Sequence, residues 1–171
     1  MVGPDTSTGN SFLYQNQMPA QGLRNIRGWN DVRSDGNCGF RCIAQLQYNA
    51  QEEWPRVRQD LLQELTDNAY LYIAEMGARR LLEISNALNW FAGSCVDEDV
   101  YWFTLPDMGL LTATTYQRVF SSYVRHGSYT YLPLECRTDM DSASPDPPPV
   151  DQEWTIAFVN GSHYIKLRVS R

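Results

Sequence analysis

The spacing of apolar residues changes character once along this 171-residue chain. Residues 1–22 are polar, carry Gly and Pro and show no period, which reads as a flexible arm or leader ahead of a domain at 23–171. Leu23, Ile26, Trp29 and Val32 are scattered apolar positions that suggest a segment packed onto that domain. Ser34-Asp35-Gly36-Asn37 is a turn cluster, and Asn37 is placed to cap a helix from Cys38 to about Asn49 that buries Phe40, Ile43, Ala44 and Leu46. Trp54-Pro55 opens a second helix, in which Val57, Leu61, Leu62, Leu65, Ala69, Tyr72 and Ile73 recur at helical spacing. A third covers about Ala78 to Phe91, with Leu81, Leu82, Leu88 and Phe91 on one side, and a fourth follows Pro106 to Tyr116. Beyond it the residues favour strands: Val119–Val124, Ser128–Leu134, Glu153–Val159 and Ser162–Val169. The last two flank Asn160-Gly161, a pair that tolerates the positive φ a tight hairpin demands. Residues 136–152 (CRTDMDSASPDPPPVDQ) form an acidic, proline-rich linker that cannot lie inside a sheet. Helices first and strands afterwards predict an α+β domain rather than a doubly wound sheet.

Charge narrows the partners. Fourteen basic and twenty acidic residues leave a formal charge of −6, which tells against general nucleic-acid binding, where a basic stripe must displace counterions. No stretch approaches the roughly 20 apolar residues that span a bilayer, and Met-Val-Gly-Pro-Asp has no signal-peptide character. The expectation is an intracellular monomer, cytoplasmic or nuclear, or an effector delivered into a host cytosol, with neither nucleic acid nor membrane as partner. A domain of this length needs no disulfide staples, and of Cys38, Cys42, Cys95 and Cys136 the last two lack the close pairing of zinc sites. Free thiols, no metal and no cofactor are therefore expected. Thirteen of the fourteen basic residues are arginine, and Lys166 is the only lysine. Codon bias is the simplest account of that imbalance.

Cys38 is the first candidate for chemistry. It follows a tight turn and opens a predicted helix, where unpaired backbone amides and the helix dipole favour a thiolate over a thiol. The same amides suit an oxyanion formed by attack on a carbonyl. The competing reading is a small buried apolar residue, and Cys42, one turn further on, fits that description better. A nucleophilic thiol needs a base, and the chain has two histidines. His126 precedes Gly127 in a loop with no motif around it. His163 follows the Asn-Gly turn and shares a strand face with Ile165, Leu167 and Val169. It is either a half-buried histidine satisfied by one hydrogen bond or a base held rigidly at the end of a core strand.

Asp35-Gly36-Asn37-Cys38-Gly39-Phe40-Arg41 together with Ser162-His163-Tyr164 resembles the ovarian-tumour (OTU) family of cysteine proteases. Trp102, Leu105-Pro106-Asp107-Met108-Gly109 and Tyr131-Leu132-Pro133-Leu134 are similar to the OTU-like domains of plant, fungal and transposon-encoded proteins, so the resemblance spans about residues 26–169. It implies a helical lobe on a small, mainly antiparallel sheet, and hydrolysis of the isopeptide bond to ubiquitin or a ubiquitin-like modifier. Cys38 would attack the modifier's C-terminal glycine, His163 would move the protons, and the loop from Asp35 through Gly36 and Asn37 would offer amides to the oxyanion. Many family members carry Asp or Asn two residues after the histidine, but here that position is Ile165. The resemblance then points to Asp35 as the third member, with Asn160, across the hairpin turn, as second choice. Ubiquitin's arginine-containing, diglycine tail implies a narrow acidic channel, for which Asp97, Glu98, Asp99 and Asp107 are the acidic candidates and Trp102 or Tyr164 the walls. Ile165 keeps one rival reading open: an inactive homologue that binds ubiquitin without cutting it. A transposon-type DNA-associated module gains little from a charge of −6. In either ubiquitin-directed reading, the single lysine would limit the protein's own ubiquitination.

Overall fold

The computed structural model describes residues 12–90, 99–137 and 153–170. Six α-helices, α1 (Ala20–Leu23), α2 (Cys38–Gln47), α3 (Trp54–Asp67), α4 (Ala69–Met76), α5 (Ala78–Leu88) and α6 (Asp107–Tyr116), accompany one five-stranded sheet. Its strands are β1 (Ile26–Asn30), β2 (Phe120–Val124), β3 (Gly127–Tyr131), β4 (Trp154–Val159) and β5 (His163–Val169), in the order β1-β5-β4-β2-β3. All neighbours are antiparallel except β2 and β4, so the sheet is mixed and the domain is α+β.

Alternation along the strands divides two cores, because successive side chains point to opposite faces. Ile156 and Tyr164 join Phe40, Ile43, Leu61, Leu65, Met108 and Leu111 under the helices. Their sequence neighbours Ala157 and Ile165, with Val159 and Leu167, face the other way and meet Tyr14 and Met18. The residues from Phe12 to Leu23 are therefore built onto the sheet, where an arm reaching residue 22 was expected. The segment 23–32 likewise contains a regular strand, β1, paired with β5 through Trp29↔Leu167 and Asn30↔Lys166.

The apolar run Val57–Ile73 is two helices and not one. At Asn68 the backbone leaves helical geometry (φ −119°, ψ 30°), while its amide N–H still donates to the Glu64 carbonyl and its side chain to the Glu64 carboxylate. The break resets the face that α4 presents to the core, so Ile73 is exposed while Tyr72 is buried. Leu82 is likewise exposed, on the opposite side from Ile84 and Leu88. The predicted end of the third helix at Phe91 and nearly all of the proline-rich linker lie outside the described residues. Among the described residues, no helix is long and apolar enough to cross a membrane.

Candidate active site

Two elements, α2 and β5, converge on one sulfur. Cys38 opens α2, which packs across β5, and is only 6% exposed. The backbone N–H of Tyr164 points at its Sγ, 3.4 Å away, so the second residue of β5 supplies a donor to the thiol. Asn160 (φ +56°) and Gly161 (φ +69°) close the β4–β5 hairpin as their sequence requires, and this seats His163 at the start of β5, paired with Val159. The imidazole is 7% exposed. Its Nε2 meets Asp31 Oδ1 at 2.7 Å, and the same oxygen accepts the Val32 N–H at 2.9 Å. With Nε2 committed to Asp31, Nδ1 is the ring atom available to the sulfur. It makes no conventional hydrogen bond at rest, which is common where such a bond tightens only on substrate binding. The electrostatics give the same grouping. Interaction with the Cys38 sulfur raises the His163 pKa; burial works in the opposite direction, and the hydrogen bond and charge of Asp31 add to the rise, to about 9.

Asp31 is thus the carboxylate on the imidazole, and the expected third members are not. Asp35 accepts the Asn37 N–H (3.1 Å) and holds Arg41 through both oxygens, the closest contact being 2.5 Å. Burial disfavours its charge, but the Arg41 bonds and the Asn37 amide outweigh that and hold its carboxyl below the usual range. It shapes the loop ahead of Cys38 by clamping an arginine that is 3% exposed and that also reaches Glu52. Asn160 turns its side chain to Gln17, whose Nε2 donates to Asn160 Oδ1 at 2.9 Å. The reason Asp31 escapes sequence reading is that nothing local marks it. It follows the short edge strand β1, and only the antiparallel pairing of β1 with β5 carries it to His163.

The loop donors also differ from expectation. Gly36 has φ +79°, the turn conformation that favours glycine. The Asn37 N–H is spent on Asp35 and so is not an oxyanion donor. Nor does the Asn37 side chain cap α2, although the residue stands at the cap position. Its Oδ1 accepts from Arg58 Nη2 at 2.8 Å. Arg58, fully buried, also donates to the carbonyls of Ala87 and Tyr101 and lies over the Phe40 ring, so one guanidinium ties the loop before Cys38 to α3, α5 and the turn at 99–101.

Of the proposed substrate contacts, Asp107 is bonded to Arg80 Nε at 2.6 Å, and Asp99 is exposed. Asp97 and Glu98 lie outside the described residues. Tyr164 is core, packed against Phe103 and Phe158 with ring centroids 5.7 and 4.9 Å apart, while Trp102 is half-buried. Cys42 is fully buried and its thiol is pushed up by that burial; Cys136 is exposed, and Cys95 lies outside the described residues. Among the described residues, no cluster of His, Cys, Asp and Glu is arranged to hold a metal ion.

No family model and no curated protein matches the chain by sequence. Solved structures do match it. The OTU domain protease of Qalyub virus aligns with a TM-score of 0.59 at 12% identity, over 86% of each chain. That of Dera Ghazi Khan virus gives 0.57 at 12% identity, over 88% of this chain and 85% of that one. A Hazara virus OTU bound to ubiquitin gives 0.53 at 13% identity, over 84% and 81%. The fold is that of an OTU domain.

Proposed function

We propose that this chain is a thiol-dependent deubiquitinase, hydrolysing the isopeptide bond at the C-terminal glycine of ubiquitin or a ubiquitin-like modifier. The observation that carries this reading is the 2.7 Å bond of His163 to the Asp31 carboxylate at the start of a strand whose next residue, Tyr164, turns its N–H to the Cys38 sulfur at 3.4 Å. Thiolate and imidazolium form the working pair. The sulfur adds to the glycine carbonyl carbon, and the developing oxyanion takes hydrogen bonds from amides at the start of α2, Cys38 N–H first among them. His163 then gives its proton to the departing lysine amine as the C–N bond breaks, leaving a thioester. Neutral His163 next removes a proton from water, which attacks the thioester and releases the modifier's carboxylate and the thiolate. Asp31 holds the ring in the tautomer and orientation that both steps need. Of the two acidic candidates among the described residues, Asp107 is bonded to Arg80 and Asp99 is exposed, so Asp99 is the one offered to the modifier's arginines.

Cutting is favoured over binding without cutting because Asp31 supplies what Ile165 cannot. The test is incubation with ubiquitin and ubiquitin-like probes bearing a C-terminal electrophile. A covalent adduct on Cys38, lost in Cys38→Ala, is expected. Binding with no adduct, equal in both proteins, would return the inactive reading.

A further inference from the structure

The residues ahead of α1 touch the two segments that carry the candidate imidazole–carboxylate pair, at Trp29 and at Asn160. On one side, the rings of Phe12 and Tyr14 pack edge-on against Trp29, centroids 5.9 and 5.5 Å away, two residues before Asp31. Tyr14 is itself buried, and its phenol is pushed up first by that burial and then by the charge of Asp31. On the other side, Gln17 makes a reciprocal pair with the hairpin turn: its Nε2 donates to Asn160 Oδ1 (2.9 Å) and its Oε1 accepts the Asn160 N–H (2.6 Å). That turn sets the position of His163, three residues on. Tyr14 and Met18 supply the apolar anchoring of the segment. The amide pair of Gln17 is exposed, so burial does not call for it. What it fixes is the turn.

We propose that Phe12–Met18 is a strap that positions His163 relative to Asp31, with Gln17 as its positioning residue on the hairpin. The inference rests on the reading of Cys38 and His163 as nucleophile and base. Small displacements of a base are costly because proton transfer demands alignment; a 1 Å error can reach about a hundredfold. An exposed pair of hydrogen bonds that restrains a turn is expected to act on a smaller scale.

The experiment compares wild type, Gln17→Ala, Gln17→Glu, Asn160→Gly and the Gln17→Ala/Asn160→Gly double variant, with rates normalised to the Cys38 fraction that reacts. Glycine at 160 keeps the positive φ of the turn while removing its amide side chain. Gln17→Ala should lower kcat roughly three- to tenfold with KM within about twofold, and move the basic limb of kcat/KM to lower pH. Gln17→Glu, which keeps the acceptor for the Asn160 N–H, should recover part of the loss. The double variant should be little worse than Gln17→Ala alone. A parallel readout, the pH dependence of Cys38 alkylation by iodoacetamide, needs no modifier. If wild type cleaves and Gln17→Ala matches it in normalised kcat and in pH profile, the strap is refuted while the deubiquitinase reading stands. If no modifier probe reacts but the alkylation profile still shifts in Gln17→Ala, the strap stands and the substrate assignment fails.

Discussion

Two aspartates four residues apart have separable tasks, and exchanging each for alanine should produce opposite signatures. Asp31→Ala removes a 2.7 Å bond between a carboxylate and an imidazole whose pKa is raised to about 9. Hydrogen bonds with a charged partner contribute about 1.5–3 kcal/mol. The Asp31 side chain is 52% exposed, so water replaces part of that, leaving about 1–2 kcal/mol. At 1.36 kcal/mol per tenfold, kcat/KM should fall roughly 5- to 30-fold, carried mainly by kcat. Losing the carboxylate also removes part of what raises the His163 pKa, so the basic limb of the pH profile should shift to lower pH. Asp35→Ala instead strands Arg41, whose side chain is 3% exposed. Breaking a buried pair costs about 3–5 kcal/mol, lowered here to roughly 2–3 because Glu52 remains 3.1 Å from Nη1. That corresponds to a fall in Tm of roughly 5–10 °C, with the pH profile of the surviving enzyme unmoved. Steady-state cleavage of a fluorogenic ubiquitin substrate from pH 6 to 10, alongside thermal melts, separates the two. A basic limb that moved in Asp35→Ala and stayed fixed in Asp31→Ala would refute the assignment.

The remaining predictions concern thiols, packing and proton linkage. A general alkylating reagent should label Cys136 readily and leave the fully buried Cys42 untouched until unfolding, whereas a ubiquitin electrophile should find Cys38; peptide mapping by mass spectrometry reads all three. Gly39→Ala would drive a Cβ into the Cβ of Phe103, so α2 must shift; a loss of about 1–3 kcal/mol is expected in denaturant titrations, and an unchanged midpoint would contradict the packing. His163 rises from an ordinary 6.5 to about 9 in the folded state, so its stabilising contribution is complete below about pH 6.5 and disappears as pH climbs through 9. Wild-type Tm should therefore fall over that window more than that of His163→Gln. Cys38→Ala, which removes the largest cause of the shift, should flatten the decline.

Local signals were readable where one or two residues dictate backbone conformation. Asn160-Gly161 required a positive-φ turn, and Pro55 marked the first turn of α3; both stand where their chemistry puts them. Cys38 at a helix start and His163 at a strand start are likewise properties of short stretches. Asp31 and Asp35 show the limit. The motif made Asp35 conspicuous, yet its neighbour Arg41 claims it, and Asp31 acquires a role only through a partner 132 residues away. The strand before Asp31 was hidden because β1 is a five-residue edge with Arg and Gly among its members. In residues 12–22 the buried positions Tyr14, Met18 and Gly22 recur every four residues, but Gln, Asn, Pro and Gly around them hide the pattern in the sequence.

The pairing of β1 with β5 has a consequence for biosynthesis. Cys38 leaves the ribosome long before Tyr164, 126 positions later, and the strand bearing the histidine can dock only after nearly the whole domain has been translated. Contacts this distant in the chain form late, once the cost of closing the loop has been met. A nascent or prematurely stopped polypeptide thus exposes a sulfur with no base beside it. The sulfur and the imidazole come together only with completion of the fold.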